Sequence, residues 1–213
     1  MPTGLDGEFE YLRFLEGSDQ GWPLLPCIQQ LEGARACGAF ARRLESTLAA
    51  YEPADGAHWH LPDRTHPSGS IAHGDLGPWN LLWDNERGDI CGLIDWDLAG
   101  PAPAGYDTGL LAWQMVPVMT DDRALARGFA LPVNRSDRLA AYCDGYGASC
   151  DEMLDLVIAT QDELRSRILS AAEDEPPVYA MLKKLGLAEQ VRDDMRFARA
   201  WRENGRLDVN REQ

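Results

Sequence analysis

Apolar and polar positions divide the chain into stretches of different period. Residues 8–17, EFEYLRFLEG, alternate, with Phe9 and Tyr11 on one face and Leu12 and Phe14 on the other, which predicts a strand ending at Gly17. Residues 1–7, with Pro2, Gly4 and Gly7, read as a loose start, and SDQGWPLLP reads as a loop anchored by Trp22. Over residues 32–51 the period becomes helical. Cys37, Phe40, Ala41, Leu44 and Leu48 form one stripe, and Arg35, Arg42, Arg43 and Glu45 fall mostly off it. Residues 52–70, rich in Pro, Gly, Asp and His, predict a long loop. Two short apolar segments, 80–83 and 90–94, then face each other across the turn-forming DNERGD, the pattern of a β-hairpin. After Asp107 the run TGLLAWQMVP is apolar around most of its circumference and stops at Pro117, as a helix at the centre of a lobe would. Asp107 at its start would cap free N–H groups and meet the helix dipole favourably.

The remainder reads as helical. Residues 118–136 form a polar crossover with room for a short helical piece, and 136–146 a helix stopped by Gly147. A long helix opens at Asp151, turns Leu154, Val157, Ile158, Leu164 and Ile168 inward and halts at AEDEPP. A last helix over 187–204 repeats Leu187, Val191, Met195, Ala198 and Trp201 and ends at Gly205, with a frayed tail from 206. The fold class expected is α+β, mainly α.

The charge changes which partners are reasonable. Twenty basic against 35 acidic residues give a formal charge of −15, which argues against nucleic acid or an anionic membrane as partner and would suit a cationic small molecule. Asp121, Asp122, Asp151, Glu152 and Asp155 could greet such a substrate or simply form solvated helix faces. The start MPTGLDGEFEYL lacks a basic region followed by an apolar one, so a cytoplasmic protein is expected. Five cysteines without C-x-x-C spacing predict free thiols in a reducing compartment. His58, Trp59, His60 and His66 lack a fourth ligand at metal spacing.

The chemistry gathers at the hairpin ends. His73, Asp75 and Asn80 lie at the start of the first segment, and Asp95 and Asp97 at the end of the second. Antiparallel pairing brings Asn80 beside Asp95 with Asp75 near, a hard-oxygen set of the kind Mg²⁺ prefers when it also holds phosphates. Any one of these residues alone would be ordinary turn chemistry, since Asp and Asn bond their own backbone. Asp97 stays open between a further ligand and a solvent-facing aspartate.

His73, Gly74, Asp75 and Asn80 match H-G-D-x-x-x-x-N, and Ile94 and Asp95 follow at hairpin spacing. In these motifs the chain resembles the aminoglycoside phosphotransferase family, small-molecule relatives of protein kinases. HGDLGPWNLLW followed by GLIDWDLAGPAPAGYD is similar to the subgroup known as the phosphotransferase enzyme family. The resemblance implies ATP and Mg²⁺ as cofactors, Asp75 as catalytic carboxylate, Asn80 and Asp95 as metal ligands, and His73 and Asp107 as structural support. It places the adenine-receiving hinge near Arg13, Phe14 and Leu15. It also implies a protein kinase-like C-terminal lobe whose short β-hairpin carries the metal residues, with a severely shortened N-terminal lobe. Residues 1–31 would be a remnant strand and hinge, 32–205 the C-terminal lobe and 206–213 a tail. No lysine precedes Lys183, and Leu44 is followed by Glu45 where the family has histidine. The expected activity is phosphorylation of a small-molecule hydroxyl. The alternatives are a kinase-like binding or regulatory module, or a homo-oligomer in which a second chain closes over the nucleotide.

Overall fold

The chain opens with an antiparallel pair, β1 (Pro2–Asp6) and β2 (Phe9–Leu12), in a computed structural model that describes residues 2–6, 9–20, 24–55, 59, 70–171 and 177–205. The stretch expected to be loose therefore supplies the ladder partner that an isolated strand lacks. The strand expected over 8–17 ends at Leu12, and residues 13–17 run without a ladder to Ser18. Ser18 exchanges backbone hydrogen bonds with Trp83 at 2.9 and 2.8 Å.

Helix α1 (Pro26–Gln29) begins on a proline, whose missing N–H is not needed there. Helix α2 (Leu31–Ala49) buries Ala34, Cys37 and Ala41 with Gly33 and Gly38; of the expected stripe only Cys37 and Ala41 are fully buried, and Phe40, Leu44 and Leu48 are half-buried. Strand β3 (Ile71–Ala72) pairs with β6 (Gly100–Pro101), and β4 (Leu81–Asp84) pairs antiparallel with β5 (Asp89–Leu93). The hairpin register is the one its pattern implies. Leu81 faces Leu93 and Asp84 faces Asp89, with an irregularity between Leu82 and Trp83. Asp84 closes the turn, its Oδ1 accepting from the N–H groups of Glu86 (3.0 Å) and Arg87 (3.1 Å).

Helix α3 (Tyr106–Met115) is buried at all 10 positions, as its uninterrupted apolar run requires. The crossover holds α4 (Asp121–Ala126), and α5 (Arg135–Tyr146) ends at Gly147 in the left-handed conformation. Helix α6 (Cys150–Ser170) starts with a reciprocal cap in which Ser149 and Glu152 satisfy each other's backbone N–H. Two further helices follow, α7 (Pro177–Lys184) and α8 (Leu187–Glu203). Helix α7 was not expected. The Pro-Pro pair that signals a stop also places a proline at the first position of a new helix, where it is favoured. The positions of Trp22, His58, His60, His66 and the 206–213 tail lie outside the described residues.

Helices α2 and α5 meet at backbone contact. A Cβ built on Gly38 would sit 2.0 Å from the Tyr142 carbonyl oxygen, and one on Gly145 would sit 2.1 Å from that of Arg35, so neither position admits a side chain. Arg138, 3% exposed, joins three stretches of chain. It donates to the carbonyls of Met115 (2.8 Å), Gln29 (2.6 Å) and Ile28 (3.0 Å). A single apolar cluster runs from Leu81 and Trp83 of the hairpin through Leu111 and Met115 of α3 to Tyr142, Leu154, Val191 and Trp201. The hairpin is thereby seated on the most buried helix. All five cysteines are free, and burial pushes the Cys37 thiol far up, so it acts as an apolar filler. Among the described residues no helix is long and apolar enough to cross a membrane.

Candidate active site

The loop from His73 to Asn80 is held from beneath. Asp107, in the first turn of α3, accepts from the backbone N–H groups of His73 (Oδ2, 2.6 Å) and Gly74 (Oδ1, 3.0 Å). The N-cap position is Gly105, two residues earlier than the cap expected at Asp107. The carboxylate thus fixes the loop to the central helix. His73 is fully buried, with Nε2 2.9 Å from the Ile94 carbonyl and Nδ1 3.4 Å from the Asp75 N–H. Both contacts are met by the tautomer carrying its hydrogen on Nε2. The ring also lies edge-on to Trp96, centroids 4.8 Å apart. His73 therefore ties the loop to the far end of the hairpin.

Proline 78 opens a single 3₁₀ turn, Pro78–Asn80, that aims two donors back at Asp75. Trp79 Nε1 and Asn80 Nδ2 each donate to Asp75 Oδ2 at 3.1 Å, and Asn80 Nδ2 also reaches the Asp75 carbonyl at 2.9 Å. Oδ1 of Asp75 accepts no hydrogen bond among the described residues. Burial raises the Asp75 pKa above the ordinary carboxylate range, the bonds from Trp79 and Asn80 pull it back in part, and the nearby charge of Asp95 adds to the rise.

Asn80 is 4% exposed, and its amide nitrogen is spent on Asp75, which leaves Oδ1 as the group it can offer to a cation. Its carbonyl accepts from Ile94 N–H at 3.0 Å, extending the hairpin by one bond and setting Asp95 next in line. Asp95 is the one non-glycine residue with positive φ (62°) among the described residues. That conformation costs an L-residue roughly 1 kcal/mol. Aspartate tolerates it better than most, and here it turns the carboxylate out of the strand direction.

The donor set suits Mg²⁺ shared with phosphates: one carboxylate, one amide oxygen, both hard, at the end of a sheet. Among the described residues no three His, Cys, Asp or Glu side chains gather, so no all-protein cage is built, which is the usual situation for Mg²⁺ at nucleotide phosphates. Asp97 is exposed and forms no ion pair among the described residues.

Arg13, Phe14 and Leu15 are exposed, and the chain at Leu15 and Glu16 touches β5, the strand that leads to Asp95. The Cys91 thiol donates to the Glu16 carbonyl at 3.2 Å, and Leu15 Cδ1 lies over Gly92. Phe14 is 86% exposed. Three of the five acidic residues weighed for a cationic partner have other engagements. Asp121 pairs with Arg135 at 2.7 Å, Asp155 with Arg202 at 2.8 Å, and Glu152 caps α6. Glu45 accepts from the Tyr146 hydroxyl.

Three residues that the motifs did not single out enter the site, Trp79 from within the loop and two from remote segments. Trp79 holds Asp75, the Arg127 guanidinium lies 5.4 Å from the centroid of the Trp79 ring, and Gln114 comes from the end of α3. With Gln20, Leu24, Pro78, Ala126 and Phe129 they line a cavity of about 120 Å³. Only Trp79 had a local signal, its place inside the H-G-D-x-x-x-x-N stretch.

The model of the family described as "Phosphotransferase enzyme family" matches residues 20–142, which carry the loop, the hairpin and α3. A trifolitoxin immunity protein of Rhizobium leguminosarum bv. trifolii is 27% identical over 195 residues, covering 84% of this chain and 71% of that protein. No solved structure matches.

Proposed function

The chain belongs to the phosphotransferase enzyme family, and from that premise we propose that it transfers a phosphoryl group from Mg-ATP to a hydroxyl of a small molecule. The observation that carries this is the state of Asp75: one carboxylate oxygen held by Trp79 and Asn80, the other open, beside two hard-oxygen donors. Membership of the family implies a kinase-like fold, in which residues 32–205 make the larger lobe and Arg13, Phe14 and Leu15 the hinge beside the adenine.

Asp75 Oδ1 accepts the hydrogen of the acceptor hydroxyl and aligns its oxygen. The raised pKa makes Asp75 a stronger base than an ordinary carboxylate. Asn80 and Asp95 would hold Mg²⁺, which supplies charge neutralisation on the transferring phosphoryl group. Asp107 and His73 keep the donors and the base in register, so that catalysis rests on position and charge.

Calorimetric titration with ATP, with and without Mg²⁺, in the wild type and Asp95→Asn tests the reading first. Binding that needs both Mg²⁺ and Asp95 is expected. In an acceptor screen Asp75→Asn is then expected to lower turnover by about 10²–10⁴ with nucleotide affinity unchanged. Mg-ATP binding without turnover on any hydroxyl would favour a kinase-like binding module instead. The similarity to a trifolitoxin immunity protein supports a second reading of the biological role, protection from a toxin. Expression in a trifolitoxin-sensitive strain, with and without Asp75→Asn, separates protection that needs phosphotransfer from protection that does not.

A further inference from the structure

We infer that the cavity beside Trp79 is the acceptor pocket and that it takes the carboxylate of a small hydroxy acid; this rests on the phosphotransfer reading above. Three polar side chains line the cavity with no side-chain hydrogen bond among the described residues: Gln20, Gln114 and Arg127. Gln114 is 5% exposed on a helix that is otherwise all interior. Its amide keeps some access to the cavity, so it is free to hydrogen-bond a group that enters. Arg127, half-buried, has no ion pair or side-chain hydrogen bond among the described residues either, only the face of Trp79.

The charged groups around Arg127 explain why it stays available. Arg123, from the same helix, takes Asp194 of α8 at 2.8 Å, and Trp113 takes the other oxygen of Asp194 at 3.1 Å. Burial and then the neighbouring Arg123 lower the Arg127 pKa, opposed in part by the charges of Asp194 and Asp75, and Asp75 Oδ2 is already filled by Trp79 and Asn80. A guanidinium offers only donors, in a planar fork matched to a carboxylate, and Gln114 adds an amide beside it. The cavity, about 120 Å³, admits a group of a few heavy atoms. One guanidinium in a chain of net charge −15 suits a monoanion better than a phosphate dianion. Leu24, Pro78 and Phe129 would pack against the carbon stem.

Trp79 couples this pocket to the chemistry. Its ring underlies Arg127 and its N–H positions Asp75, so an acid anchored on Arg127 has its hydroxyl within a short chain's reach of Asp75. In the transfer the acceptor oxygen forms the new bond to phosphorus, the bond from phosphorus to the bridging oxygen of ATP breaks, ADP leaves, and the hydroxyl proton passes to Asp75.

The test is a binding assay without nucleotide. Glycerate, serine and homoserine are each titrated beside the matched primary amide, following the indole N–H resonance of Trp79, assigned with Trp79→Phe. The acids are expected to shift that resonance and to bind at least tenfold more tightly than their amides. Arg127→Gln should erase the preference, and Gln114→Leu should weaken the acids about tenfold. If Arg127→Gln does not fold, Arg127→Lys, which keeps charge without the fork, is expected to lose part of the preference. Equal binding of acids and amides, no shift at Trp79 with any acid, or a full preference in the Arg127 variants would overturn the inference. Acid selectivity in a chain that fails to bind Mg-ATP would overturn the phosphotransfer reading and leave the carboxylate site standing.

Discussion

Replacing Asp107 by alanine removes the acceptor of two backbone N–H groups at the floor of the loop, at 2.6 and 3.0 Å. His73 is fully buried and Asp107 9% exposed, so little water can stand in. Hydrogen bonds to a charged acceptor contribute about 1.5–3 kcal/mol each, and an orphaned buried donor costs a similar amount. The expected loss is therefore about 3–5 kcal/mol, a large part of the 5–15 kcal/mol typical of a domain. For a chain of this size that corresponds to a fall in Tm of roughly 10 °C. Asp107→Asn keeps one acceptor oxygen and turns an N–H₂ toward the other donor, so it should recover only a fraction. Urea unfolding of the three proteins measures this, and Mg-ATP titration of the same samples should show affinity falling in the same order, because the loop that carries Asn80 loosens. If the carboxylate served only the dipole of α3, the alanine variant would lose less than about 1 kcal/mol and nucleotide affinity would not follow. That result would refute the bracing argument.

Burial raises the Asp194 pKa to about 6, against the opposing pull of Arg123 and the Trp113 N–H. The folded state then holds its proton more tightly than the unfolded state, so stability rises as pH falls from about 7 to about 4, by roughly 3 kcal/mol in total. Thermal unfolding of wild type and Asp194→Asn across that range should show the difference between them change with this sign; a constant difference would remove the argument. Arg138→Met leaves the carbonyls of Ile28, Gln29 and Met115 without their donor and is expected to cost about 3–5 kcal/mol in urea unfolding. Loss below about 1 kcal/mol would mean that water replaces it. Gly38→Ala forces a methyl group against the Tyr142 carbonyl and should lower Tm by about 10 °C or prevent folding, where Ala39→Gly on the same helix costs only about 1 kcal/mol, roughly 2–4 °C.

Most helices and the hairpin were legible because burial writes a one-sided face, or for α3 an apolar run, into the sequence; α7 was not, because the Pro-Pro pair before it reads as a stop. The DNERGD turn fixes which ends of β4 and β5 meet, so the sequence pattern alone brings Asn80 and Asp95 together. The brace from Asp107 to the loop came from the family resemblance; periodicity alone suggested only a cap. Arg127 and Gln114 were not legible, since nothing local distinguishes an arginine at the end of a six-residue helix or a glutamine in an apolar run. Their meaning depends on Trp79, 35 or more positions away in sequence. The acidic residues misled in the same way: Asp121 and Asp155 look unclaimed until Arg135 and Arg202 arrive from other helices.

The glycine-to-backbone contact of α2 and α5 governs how the protein can be made. Roughly 90 residues separate the end of the first helix from the start of the second, and a ribosome adding 5–20 residues per second needs roughly 5–20 s to cover them. For that interval the small-residue face of α2, with Ile28 and its open carbonyls beside it, emerges with no surface to receive it. A nascent chain in that condition is what chaperones bind, and any product ending before α5 should be recovered from inclusion bodies.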